Sequence, residues 1–158
     1  MTRATRQLAR ILFGIAMAAT AVMAVLTVGD VLLRYALRSP IPGTYELVGF
    51  LSVMAVSLAL PQIQAKHGHI VVDLVARKAK PALANALELA ILAIQAAFFG
   101  VLTWRVAVNA GDIFAAGQVS DILHIPLVFM YSIAAVGPAG TTLVLLEQCA
   151  DWVARRRA

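Results

Sequence analysis

The ionisable and nucleophilic side chains of this chain are few, and their spacing limits the chemistry open to them. Asp30 and Arg34 stand four residues apart, so on a helix they share a face, and Glu46 follows across a short turn. That trio could be a solvated rim with a weak salt bridge, or a fixed polar cluster that orients the hairpin or docks a partner; a structural ion pair is the preferred reading. It holds no nucleophile and is not catalytic. Glu88 lies seven residues after Pro81, on one side of a helix with Asn85 and Gln95. It is the candidate for a proton site, against the plainer reading of an interfacial acid near a helix N-terminus, where the dipole favours negative charge.

Other chemistries fall away on spacing. Haem ligation needs two histidines facing each other at one depth, but His67 and His69 lie between the second and third apolar segments and His124 at the opposite end. None of Ser39, Ser52, Ser57, Ser120 and Ser132 sits in a Gly-x-Ser-x-Gly turn. Ser52 and Ser57 are expected to be small residues that let helices approach, and Gly137, Pro138 and Gly140 to give a kink or a close contact. Cys149 is the single cysteine, so no intramolecular disulfide or cysteine metal site is possible. No catalytic residue, metal or cofactor is expected, and an enzyme is not the expected class.

The elements that must position these residues follow from charge. Ile11–Gly29, Leu47–Ala65, Leu89–Trp104 and Ile122–Leu146 contain no Asp, Glu, Lys or Arg, although the chain has 13 basic and 8 acidic residues. About twenty apolar residues at 1.5 Å rise span a hydrocarbon core of about 30 Å. With 61% hydrophobic and 13% charged residues and a mean hydropathy of +0.86, the chain lies outside the soluble range. The reading is an all-α membrane protein of one domain, 1–158, with spanning helices near 10–35, 44–65, 82–107 and 121–150. Arg3, Arg6 and Arg10 precede a run of spanning length, as in an uncleaved signal anchor.

Between the second and third spans, residues 69–80 read HIVVDLVARKAK. His69, Asp73, Arg77 and Lys80 fall within an arc of about 80°, opposite Ile70, Val71, Leu74 and Val75. Too short to span, this segment is expected to be an amphipathic helix lying in the cytoplasmic interface. Orientation follows from the basic residues. Arg3, Arg6, Arg10, Lys66, Arg77, Lys78, Lys80 and Arg155 to Arg157 belong to one side, against Arg34, Arg38 and Arg105 on the other. The positive-inside rule places both termini in the cytoplasm, with Tyr35, Tyr45 and Trp104 at the outer interface. The net charge of +5 is therefore a topological signal, and nucleic acid is not an expected partner.

These segments, in this order, resemble the small membrane subunit of the TRAP transporters (tripartite ATP-independent periplasmic transporters, DctQ-type). The resemblance is carried by Asp30-Val31-Leu32-Leu33-Arg34-Tyr35, by Pro40-Ile41-Pro42-Gly43-Thr44 with Glu46, and by Gly68-His69-Ile70-Val71-Val72-Asp73. Trp104-Arg105 follows, then Ser120, Leu123, Ile125 and Pro126. Two positions depart from the family pattern, Gln118 where an acid is common and Leu127-Val128 where an aromatic is. The resemblance implies a non-catalytic subunit of a sodium-coupled tripartite importer of organic anions such as carboxylates, in the bacterial inner membrane. Its partners would be a large multi-spanning subunit, which it scaffolds, a periplasmic substrate-binding protein, which it helps to dock, and membrane lipids. Asp30, Arg34, Tyr35, Pro42, Gly43, Glu46, Gly68, His69, Asp73, Ser120 and Pro126 would be interface or structural-motif positions. The alternative is a self-sufficient small proton-coupled exporter, a homodimer with Glu88 as its proton site.

Overall fold

The computed structural model of the chain describes residues 2–67 and 81–157, with side chains over 2–66 and 87–154. Its helices are α1 (Arg3–Leu37), α2 (Thr44–His67), α3 (Pro81–Ala115) and α4 (Val128–Arg157). All four are long and apolar enough to cross a bilayer. Among the described residues there is no strand, only an isolated antiparallel bridge between Val119 and Pro126. The expected interfacial helix over 69–80, with Gly68, His69 and Asp73, lies outside the described residues.

The helices do not pack in chain order. α1 lies on α2, α2 on α4 and α4 on α3, while α1 and α4 touch only lightly. One end of the bundle gathers the α1–α2 and α3–α4 connections, and the other gathers both termini. α1 and α3 each have 35 residues, about 50 Å of helix, well beyond a hydrocarbon core of about 30 Å.

The buried positions of α1 are Ala9, Leu12, Ala16, Ala19 and Asp30, at the three- and four-residue spacing of a helix seam. Three of them are alanines, so the backbones come close. Leu12 and Ala16 meet Leu58 of α2, backed by Met54, Ala59 and Ile133. α2 and α4 also approach closely. Pro61, inside α2 and fully buried, has no N–H to return to the Ser57 carbonyl. Gly137 of α4 lies against that carbonyl so closely that a Cβ would collide with it, and a Cβ on Gly140 would stand 2.9 Å from the Pro61 ring. Apolar side chains gain nothing by leaving lipid for one another, so such dispersion contacts between small residues are what hold spans together.

Four helix bounds lie seven or more residues from the sequence expectation; α4 ends at Arg157 rather than near 150, and the other three have a local reason. α1 starts at Arg3 rather than near 10, because Thr2 caps it and accepts from the Thr5 N–H at 3.3 Å. α3 runs past 107 to Ala115: Gly111 is absorbed into the helix, and the stop is Gly117 at φ +60°. There Gln118 N–H bonds the Ile113 carbonyl and Gly117 N–H the Phe114 carbonyl, a complete Schellman cap. α4 starts at Val128 rather than 121, since Pro126 keeps Ile125 out of the helical region. Residues 118–127 instead fold back on themselves through Ser120 N–H to Ile125 O (2.9 Å) and Leu127 N–H to Gln118 O (3.0 Å).

Candidate functional site

Asp30 ends the α1 seam about two turns before the helix stops. Its carboxylate is 5% exposed and points into the α1–α2 connection, where one oxygen accepts from the Ile41 N–H at 2.9 Å and the Thr44 hydroxyl at 3.2 Å. The other accepts from Arg34 Nη2 at 2.6 Å. The turn that supplies these donors is set by Pro40 and Pro42, which cannot donate, and by Arg38 and Gly43 at positive φ. Asp30 therefore closes the α1–α2 hairpin. Arg34 keeps 60% of its side chain exposed while it makes this bond.

Glu46, in the first turn of α2, does the same for the second connection. Its two oxygens accept from the Ile122 N–H at 2.8 Å and the Leu123 N–H at 3.0 Å. Gly43, at φ +78°, lies under Leu123, and a Cβ there would stand 2.6 Å from the leucine Cγ. Ser120 is buried, and its hydroxyl accepts from the Ile125 N–H at 3.2 Å. The structure thus brings Asp30, Arg34, Gly43, Glu46 and Ser120 into one braced cap that ties both connections together. Pro126 is exposed at the isolated bridge of the fold-back, and Pro42 is exposed on the hairpin turn. Tyr35 (83% exposed) and Tyr45 (89%) project from the cap without joining it. Between α2 and the fold-back lies a shallow groove of about 270 Å³, lined by Tyr45, Glu46, Phe50, Ser120, Asp121 and Met130 among others.

The terminal end has its own polar ties. Glu147 of α4 accepts from Thr2 N–H and Thr2 Oγ1, both at 3.0 Å, and from the Thr5 hydroxyl at 2.5 Å. Lys66 Nζ lies 5.7 Å from the centre of the Phe13 ring, a cation–π distance. Glu88 of α3 accepts from the Trp152 indole N–H at 3.1 Å. Gln64 sits between Gln95 at 3.4 Å and Gln148 at 3.3 Å. Among the described residues, no group of three or more His, Cys, Asp or Glu could share a metal ion.

Residues 23–155 match the family of tripartite ATP-independent periplasmic transporters, DctQ component. The chain belongs to that family. As a DctQ component it is a small membrane subunit of a TRAP transporter, and its helices are membrane-spanning segments. No curated protein and no solved structure matches the chain.

Within this DctQ chain, sequence reasoning missed the Glu147 clasp and the backbone amides of Ile122 and Leu123 as partners of Glu46. A signal for the first existed. Glu147 is the acid that ends the last uncharged window, and Thr2-x-x-Thr5 is a helix-capping pattern. The second had none, because backbone donors carry no side-chain signature.

Proposed function

We propose that this DctQ subunit is a non-catalytic scaffold of a sodium-coupled importer for organic anions such as carboxylates. It sits in the bacterial inner membrane with both termini in the cytoplasm. It holds a large multi-spanning subunit in the bilayer, and its turn end helps to receive a periplasmic binding protein. The observation that carries this reading is where its carboxylates go. Asp30, Glu46, Glu88 and Glu147 are each bonded to another part of the same chain, tying helices and connections together. A pathway of its own would call for ionisable groups facing a cavity at mid-depth. Exposed groups at the turn end that could meet a partner include Arg34, Tyr35, Arg38, Tyr45, Asp112 and Asp121.

Reconstitution into liposomes tests the reading. Uptake driven by a sodium gradient is expected only when the chain is combined with the large subunit and the binding protein, and Glu88→Gln is expected to lower it by less than about twofold. Proton-coupled transport by the chain alone, abolished by Glu88→Gln, would overturn the scaffold in favour of the exporter.

A further inference from the structure

The fold-back over residues 118–127 is a pair of short antiparallel arms with one open edge. Its two backbone bonds, Ser120 N–H to Ile125 O and Leu127 N–H to Gln118 O, flank the Val119–Pro126 bridge. In that pattern the two bridged residues exchange no bond, and their own N–H and C=O groups point outward, away from the opposite arm. The two outward edges differ. On one, Pro126 has no N–H and its carbonyl accepts from the Phe129 N–H at 3.2 Å, so nothing is left to pair. On the other, Val119 is exposed, and neither its N–H nor its C=O has a hydrogen-bond partner among the described residues.

The surroundings of that edge define its occupant. Side chains alternate along an extended arm, so Val119 and Pro126 mark one face of the fold-back and Ser120 and Leu127 the other. Each face carries a groove. One, of about 280 Å³, is lined by Val119 and Pro126 with Phe114 and Phe129, and the groove of about 270 Å³ by Ser120 and Leu127 with Tyr45 and Phe50. A helix, at least about 10 Å across, is too wide for either, whereas successive side chains of an extended segment reach both. A membrane-spanning helix also has its N–H and C=O groups already bonded along its own axis, so it has none to offer Val119. The edge therefore selects a segment that arrives from water. Asp121, on the wall of the second groove, is exposed and has no ion pair with a described residue. Glu46 lines the same groove, and no Lys, Arg or His among the described residues lines either one. The charge that complements this edge is positive.

We propose that a short extended segment of the periplasmic binding protein pairs its backbone with Val119. It exchanges one N–H to O=C bond in each direction with that residue, and alternate apolar side chains enter the two grooves. A lysine or arginine of the segment meets Asp121. The proposal rests on the reading that the turn end receives the binding protein, and adds the edge, the backbone pairing and the charge of the segment.

The test uses the assembled transporter in proteoliposomes and reads the labelled binding protein bound to them. Val119→Pro withdraws the N–H, as Pro126 does on the other edge, and is expected to weaken docking about tenfold with the same amount of large subunit recovered. Asp121→Lys leaves the backbone unaltered and is expected to weaken docking about threefold at low salt and less at high salt. A photo-crosslinking amino acid at Tyr45 is expected to give an adduct with the binding protein. Where Val119→Pro also lowers the large subunit recovered, Asp121→Lys and the adduct decide. Docking unchanged in both variants, or an adduct with the large subunit or a second copy of the chain in place of the binding protein, would overturn the edge and leave the scaffold standing. Uptake by the wild-type assembly without any binding protein would overturn the docking reading itself, and this proposal with it.

Discussion

The centre of the bundle and its two ends are held by different forces. At the centre, α2 and α4 touch through Ser57, Pro61, Gly137 and Gly140, and the side-chain hydrogen bond between them, Gln64 to Gln148, comes about one turn beyond Pro61 toward the terminal end. At the turn end, Asp30 and Glu46 gather backbone N–H groups from both connections, and at the terminal end Glu147 gathers the capping residues of α1. The division follows the solvent. In hydrocarbon a buried carboxylate is costly and dispersion between close backbones is what remains, whereas at the interfaces irregular backbone has donors to satisfy. The centre is therefore sensitive to volume and the ends to charge.

Mutations should separate the two. Gly137→Val places a branched side chain into the Ser57 carbonyl and forces α2 from α4, so a loss of about 3 kcal/mol is expected in detergent unfolding. An unchanged midpoint would mean that the central contact does not hold the bundle. Asp30→Ala comes next. Exchange at the Ile41 amide and proteolysis within residues 38–43 should rise, while Asp30→Asn, which keeps an acceptor, should show less of both. Equal behaviour of the two variants would show that charge is immaterial at this end.

A third substitution sharpens the contrast from the opposite direction. Gln62 is 8% exposed, and its Oε1 is buried with no partner among the described residues. Gln62→Met replaces it with an apolar side chain of similar length and should stabilise the fold by about 1 kcal/mol. Destabilisation would reveal a partner for that oxygen. The smallest effect is expected from Glu147→Gln. Hydrogen exchange should speed up in the first turn of α1, with little change in the overall melting temperature.

Much of this was legible in the sequence because a bilayer reads composition directly. The uncharged windows placed the four spans, and the edges of those windows marked Asp30 and Glu46. The spacing of Asp30 and Arg34 was enough to put them on one helix face. Boundaries were less legible where a glycine or a proline could be read two ways. Gly111 lies beyond the expected end of α3 at 107 and is nevertheless helical, because a single glycine costs a helix only about 1 kcal/mol. Pro126 looked like a residue inside α4 and instead delays its start. That Asp30 helps to orient the hairpin was among the readings open to its sequence position, but its donors, the Ile41 amide and the Thr44 hydroxyl, could not be read, since they depend on where Pro40, Pro42 and Gly43 turn the chain.

By itself the sequence determined that the chain crosses a membrane four times, where its charges collect, and which family pattern it follows. Each of these depends on residue type and linear spacing, which the solvent reads without knowing the fold. Only the tertiary structure decided that α4 lies between α2 and α3, that Gly137 meets the carbonyl left open by Pro61, and that Glu46 reaches the amides of Ile122 and Leu123. Those contacts join residues far apart in the chain, and they are fixed by helix packing and backbone direction, for which no single residue carries a mark.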